Sequence, residues 1–263
     1  MEISHDGGIG HLVLARKSGI NAMNPAFFAE LGPALRELSA TPGVRAIIIS
    51  ARGAHFSVGL DLKDSPINPT QGSAATQAMH TYRHVKTLQD PFNTLAALPQ
   101  PTIAVVHGYC IGGGVDLIAA CDIRIASEDS IFSIRESKIA IVADLGSLQR
   151  LPKIISRGHL MELALTAEDF DVQRAEKINL VNHVLPTQQE ALAHATRIAE
   201  LIAANSPLST MGTKEIISEI YDSSIHRDLD RVALWNSAFL RSDDLNEAMT
   251  AFMEKRKPDF SGG

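Results

Sequence analysis

The residues best placed to do chemistry lie between His107 and Gly146. Three consecutive glycines, Gly112 to Gly114, are followed two residues later by Asp116, and Glu136 and Asp144 come after the short alternating run DIRIA. Glycines opening a helical segment leave backbone N–H groups unobstructed at its positive end, where a developing oxyanion is stabilised. Acids beside such a site can move protons. The combination points to chemistry alpha to an activated carbonyl, and the remaining elements are read as its support.

Those elements must come from 263 residues and 28.4 kDa, enough for one large domain or one domain with a helical extension. A hydrophobic content of 45% and a charged content of 21% are those of an ordinary globular protein. The net charge of −6 and pI near 5.9 argue against nonspecific nucleic-acid binding, yet leave room for a local cationic site for an anionic ligand. Cys110 and Cys121 fit no metal-ligand spacing and read as reduced, buried apolar residues. The start MEISHDGGIGHLVLA shows no secretory pattern, no apolar run approaches about 20 residues, and DFSGG is no obvious address signal, so the expected location is cytoplasmic.

Along the chain, Ile9 to Ala15 alternates as a strand, and Asn24-Pro25 marks the start of a helix to about Ser39, with a kink expected at Gly32-Pro33. Val44 to Ser50 is a buried strand, and ARGAHFSVGLDLKD is the loop on its C-terminal side, where open α/β sheets carry ligands. A helical pattern from Ser73 to Leu98 should be interrupted at Asp90-Pro91 before the buried strand TIAVVHG. A helix from about Gly113 to Ala120, the strands DIRIAS, IFSI and VNHVL, and a helix capped by Asp171 complete the unit. Beyond Thr187 the pattern is only helical, so the expected organisation is an α/β core over residues 1–186 and a helical region over 187–263.

VVHGYCIGGGVDLIAACDIRIAS, LQRLPKIISRGHLMELALTAEDF and VNHVLP together resemble the crotonase (enoyl-CoA hydratase/isomerase) superfamily, and HFSVGLDLKD looks like its first oxyanion-hole loop. The resemblance spans roughly Gly10 to Phe260 and implies a ββα spiral core with a C-terminal helical trimerisation region. Within the superfamily, hydratases usually carry glutamate at the position of Asp116 and glycine at that of Asp144. CIGGGVDL, Glu136 and the ADLGSLQRLPK block are instead similar to the delta(3,5)-delta(2,4)-dienoyl-CoA isomerases. Val58 and Ser137-Lys138 depart from that pattern.

The resemblance implies that the N–H groups of Leu60 and Gly113 hold a thioester oxygen and that Asp116, Glu136 and Asp144 are the catalytic acids. Glu136 is expected to remove a C2 proton and Asp144 to deliver one to C6, with Asp116 tuning them; the reverse assignment of the first two remains open. Ser57, Val58, Gly59, Asp61 and Gly114 fall at acyl-CoA-binding positions. Phe252 and Lys255, in the pattern completed by Arg256, Pro258 and Phe260, are expected to contact the CoA nucleotide, with Lys17 a second cation. His84 and His107 read as structural. The expected substrate is an acyl-CoA thioester, with no metal, no separate cofactor, no nucleic acid and no membrane, and with a homotrimer or homohexamer as the assembly. Two other readings stand beside the isomerase: another crotonase-type hydratase or enoyl-CoA isomerase, and a non-catalytic binding protein on the same fold.

Overall fold

The computed structural model describes residues 1–17, 19–64, 71–222 and 224–261. Its strands are β1 (Glu2–Asp6), β2 (Ile9–Leu14), β3 (Ala46–Ala51), β4 (Thr102–Val106), β5 (Tyr109–Ile111), β6 (Ile123–Ser127), β7 (Ile131–Ser133), β8 (Phe170–Asp171) and β9 (His183–Leu185). The helices are α1 (Pro25–Ala40), α2 (Ala74–Ala96), α3 (Gly113–Ala119), α4 (Ser147–Arg150), α5 (Arg157–Thr166), α6 (Val172–Lys177), α7 (Gln188–Ala204), α8 (Pro207–Asp222), α9 (Ile225–Phe239) and α10 (Asp243–Glu254).

Six strands form one sheet in the order β1-β2-β3-β4-β6-β9, with β1 antiparallel to β2 and every other pairing parallel. A second sheet, β5-β7-β8, is bridged to the loop after β3 at Ser57 and Cys110. All six residues of β3 are buried because both faces of this sheet are covered. Alternation divides them: Ala46 and Ile48 face α7, while Ile47 and Ile49 enter the larger core with Leu12, Leu31, Leu35 and Phe92. α7 lies close on the sheet because Ala191, Ala195 and Ala199 make one small-residue stripe at four-residue spacing. The helical C-terminal region thus begins with an element that completes the core.

The expected interruption at Asp90-Pro91 does not occur: α2 runs unbroken through Pro91, which is buried, and α1 likewise contains Pro33. Proline withdraws one intrahelical hydrogen bond, but α2 is packed along α1 and α9, and tertiary contact offsets that local loss. The helix starts follow local chemistry as expected, with Asn24 capping Phe27 N–H and Asp171 capping Arg174 N–H. The strands β1, β5 and β8 were not expected; each is short, and β5 forms by pairing with β7 on one side and with Ser57 on the other. Cys110 and Cys121 are buried free thiols, and burial pushes the Cys121 thiol up to about 12, so it stays protonated. Among the described residues no helix is long and apolar enough to cross a membrane.

Candidate active site

The loop after β3 and the turn between β5 and α3 are sewn together. Ser57 N–H donates to Tyr109 O and Ile111 N–H to Ser57 O, each at 3.0 Å. The Ser57 hydroxyl donates to Asn21 O and accepts Gly59 N–H, so this fully buried serine is a structural tie. Gly59 then takes φ +79°, where a Cβ would stand 2.7 Å from Ile111 O. Only glycine permits so close an approach of the two backbones.

Met23 completes the arrangement. Its N–H donates to Gly59 O and its O accepts Asp61 N–H. Leu60 lies between these two bonds and lines the cavity with Gly113. Among the described residues neither N–H donates to a protein acceptor. Two neighbouring unspent donors on one wall are what a developing oxyanion needs. A side chain at position 113 would first meet Met23 Sδ, at 2.7 Å, so this glycine makes room for the wall of the cavity as well as for a ligand.

Glu136 opens a 3-10 turn, Glu136–Ile139, directly after β7. Its Oε1 lies 3.2 Å from where a Cβ on Gly112 would be, so the carboxyl abuts the glycine turn. Asp144 comes from the loop before α4, and both acids line the same cavity as Gly59, Leu60, Gly112 and Gly113. The remaining wall is mainly apolar, with Phe28, Val85, Leu88, Ile139, Ile141 and Leu240 suited to a hydrocarbon chain. Asp116 is 1% exposed and stands behind the wall, on α3. Its Oδ1 accepts the Ser147 N–H at 2.5 Å, which ties the glycine helix to the start of α4.

Burial is the largest cause of the raised pKa in all three carboxyls. The Asp116 carboxyl is pushed upward by burial, with the Ser147 bond and the Arg150 charge opposing. Glu136 is raised by burial and then by the Asp116 and Asp144 charges. Asp144 is pushed up to about 7 by burial and by Asp116, against a lowering hydrogen bond from Asn236. Glu136 Oε2 and Asp116 Oδ2 are buried without a partner among the described residues. Glu136 and Asp144, raised by burial and by the Asp116 charge, hold protons up to about neutral pH, as acid–base chemistry requires.

Other expected positions fall elsewhere. Val58 lines the cavity, but Ser57, Asp61 and Gly114 do not. Asp61 pairs with Arg16 at 2.8 Å and accepts the N–H groups of Lys63 and Asp64, closing the loop. Lys255 is the left-handed cap of α10, and neither it nor Phe252, 47% exposed, reaches the cavity. Arg256 is engaged by Glu247 and Glu254. Lys17 lines a separate cleft with Arg16, Phe27 and Glu30. His107 contacts Gly53 O and does not line the cavity, whereas His84, also read as structural, does. Burial and His80 hold its imidazole below the ordinary range, so it is neutral there.

Gln89, Asn236 and Arg150 were not expected at all. Gln89 donates to Asp144 O at 2.8 Å, Asn236 to Asp144 Oδ2 at 2.7 Å, and Arg150 to Asn93 Oδ1 at 2.7 Å. Each joins segments far apart in the chain, and no local pattern announces them. Among the described residues no group of three or more His, Cys, Asp or Glu side chains is arranged to hold a metal ion.

A family model described as Enoyl-CoA hydratase/isomerase matches residues 4–263. The chain belongs to the enoyl-CoA hydratase/isomerase family. It is 45% identical over 260 residues to the peroxisomal Delta(3,5)-Delta(2,4)-dienoyl-CoA isomerase of Arabidopsis thaliana, covering 97% of this chain and 94% of that one. It is 36% identical to the mitochondrial enzyme of the same name from Rattus norvegicus, covering 94% and 76%. The fold matches the crystal structure of an enoyl-CoA hydratase/isomerase from Pseudoalteromonas atlantica T6c, with a TM-score of 0.86 at 24% identity over 99% of both chains. The crotonase-type α/β fold expected from the glycine and loop motifs is the fold of this family member.

Proposed function

We propose that the chain is a delta(3,5)-delta(2,4)-dienoyl-CoA isomerase. One observation carries the reading: Glu136 and Asp144 line one apolar cavity together with two unspent backbone donors. The family supplies the acyl-CoA substrate class, and the relatives named above carry this activity in their names.

The thioester oxygen accepts the N–H groups of Leu60 and Gly113, which stabilise the enolate as charge moves onto it. Glu136, against Gly112 and next to the donor at Gly113, meets C2 and takes its proton. The electron pair spreads along the conjugated system, and Asp144 gives a proton to C6, leaving double bonds at C2 and C4. Two acids on one cavity suit this transfer because loss and gain occur four carbons apart. Asp116, behind the wall, acts through its charge on both. Glu136 must act ionised and Asp144 protonated; with Glu136 raised to about 8 and Asp144 to about 7, this is the less populated of the two ways the pair holds one shared proton.

For the CoA moiety, Lys17 on its open cleft and Lys255 at the end of α10 are the proposed cations, the second reaching a neighbouring subunit's ligand. Self-association is proposed through α8 and α9, whose Leu208, Ile216, Ile220, Leu234 and Trp235 are more than half exposed. The proposed compartment is the cytoplasm.

Purified protein incubated with 3,5-octadienoyl-CoA should raise the absorbance of a conjugated dienoyl thioester, and should not hydrate a 2-enoyl-CoA. Hydration without dienoyl isomerisation would replace this reading with that of a hydratase.

A further inference from the structure

We propose that Asn236 is a positioning residue that dictates which oxygen of Asp144 carries the transferred proton. The inference rests on the reading of Asp144 as proton donor and deepens it.

Asn236 stands on α9 and is 2% exposed. Its Nδ2 donates to Val142 O at 2.8 Å and to Asp144 Oδ2 at 2.7 Å. A main-chain carbonyl can only accept, so the first contact fixes the amide with its nitrogen toward the acid. Both hydrogens on that nitrogen are then committed. In a neutral carboxyl the carbonyl oxygen is a better acceptor than the hydroxyl, so the Asn236 bond makes Oδ2 the carbonyl and leaves the proton on Oδ1. Oδ1 has no partner among the described residues, and Asp144 lines the cavity.

The loop around it cannot readily turn. Gln89 Nε2 holds Asp144 O at 2.8 Å and also donates to Leu229 O at 3.2 Å. One side-chain amide from α2 therefore fixes the backbone of Asp144, and one from α9 fixes its carboxyl. Rotation that exchanged the two oxygens would break the Asn236 bond on the way and end with the hydroxyl, the poorer acceptor, against Asn236.

The consequence lies in how the intermediate partitions. After Glu136 has taken the C2 proton, the dienolate goes forward when the Oδ1–H bond breaks as C6–H forms, its electron pair remaining on Asp144. It goes backward when Glu136 returns its proton to C2. Holding the proton on the oxygen that Asn236 leaves free, in a residue that lines the cavity, favours the forward step.

The test uses the full-length protein with Asn236→Ala and the nearly isosteric Asn236→Leu. In deuterated water, isomerisation is followed by dienoyl absorbance and deuterium at C2 of recovered substrate by mass spectrometry. Isomerisation should fall about tenfold or more, the scale of a lost hydrogen bond to a charged group. Exchange at C2 should fall less, so that exchange per turnover rises, and the pH profile should move upward because a donor to the carboxylate is gone. An unchanged ratio and an undisplaced profile in both variants would overturn the proposal. Should both variants fail to fold, the infrared difference between wild type and Asp144→Asn decides it. A carboxylic C=O stretch lowered by an accepted hydrogen bond is expected, and a free one would overturn it. Wild-type protein that neither isomerises nor exchanges would instead reject the dienoyl-CoA reading itself.

Discussion

Asp144→Asn offers a direct measure of how strongly the cavity disfavours charge. In the folded protein the Asp144 carboxyl is pushed from 3.8 up to about 7, chiefly by burial. Since the folded form holds its proton more tightly than the unfolded chain, this group's contribution to stability is fully present below about pH 4. It is lost as pH rises from there through about 7. A shift of about three units corresponds to about 4 kcal/mol at about 1.36 kcal/mol per unit. Asp144 is only half-buried and shares its field with Asp116 and Glu136, so about 2–3 kcal/mol is the expected net effect after solvent screening. Asparagine has no proton to lose, and its side-chain oxygen still accepts from Asn236. Relative to wild type, the variant should therefore gain stability steadily between pH 4 and 8 while losing isomerase activity. Urea denaturation followed by circular dichroism at fixed protein concentration, at several pH values, reads the difference. Parallel stability curves for the two proteins across that range would refute the assignment of a reluctantly ionising acid at this position.

The same acids set the pH dependence of turnover. Activity needs one proton in the Glu136–Asp144 pair, so kcat/KM should be bell-shaped with its maximum between about 7 and 8, the values to which burial pushes these two groups; a flat profile from pH 6 to 9 would exclude this. Gly59→Ala should cost at least about 100-fold in kcat/KM, the scale of a lost oxyanion donor, because its Cβ would strike Ile111 O and displace Leu60. Near-wild-type kinetics for that variant would remove the loop from the site.

Local chemistry made much of this molecule legible. Asn24-Pro25 and Asp171 announced helix starts, continuous runs of branched residues announced β3 and β4, and the Gly112–Gly114 turn drew attention to the acids around it. These signals depend on neighbours a few residues apart, so the chain records them directly. Pro91 shows where that record fails: its local effect is to break a helix, and packing of α2 against α1 and α9 overrides it.

The site divides in the same way. The sequence determined that three acids and a glycine turn would be present, and resemblance supplied their grouping. Only the tertiary structure decided that Glu136 and Asp144 share the cavity while Asp116 sits behind it, bonded to Ser147. Only the structure, too, put His84 on the wall and brought Asn236 across 92 positions of chain to Asp144. Hydrogen bonds between distant segments leave no periodicity or spacing, since either partner is an ordinary polar residue until folding sets its donor against the other's acceptor. Burial acts likewise: a carboxyl's reluctance to ionise is a property of what surrounds it, and those surroundings exist only once the sheets and helices have closed.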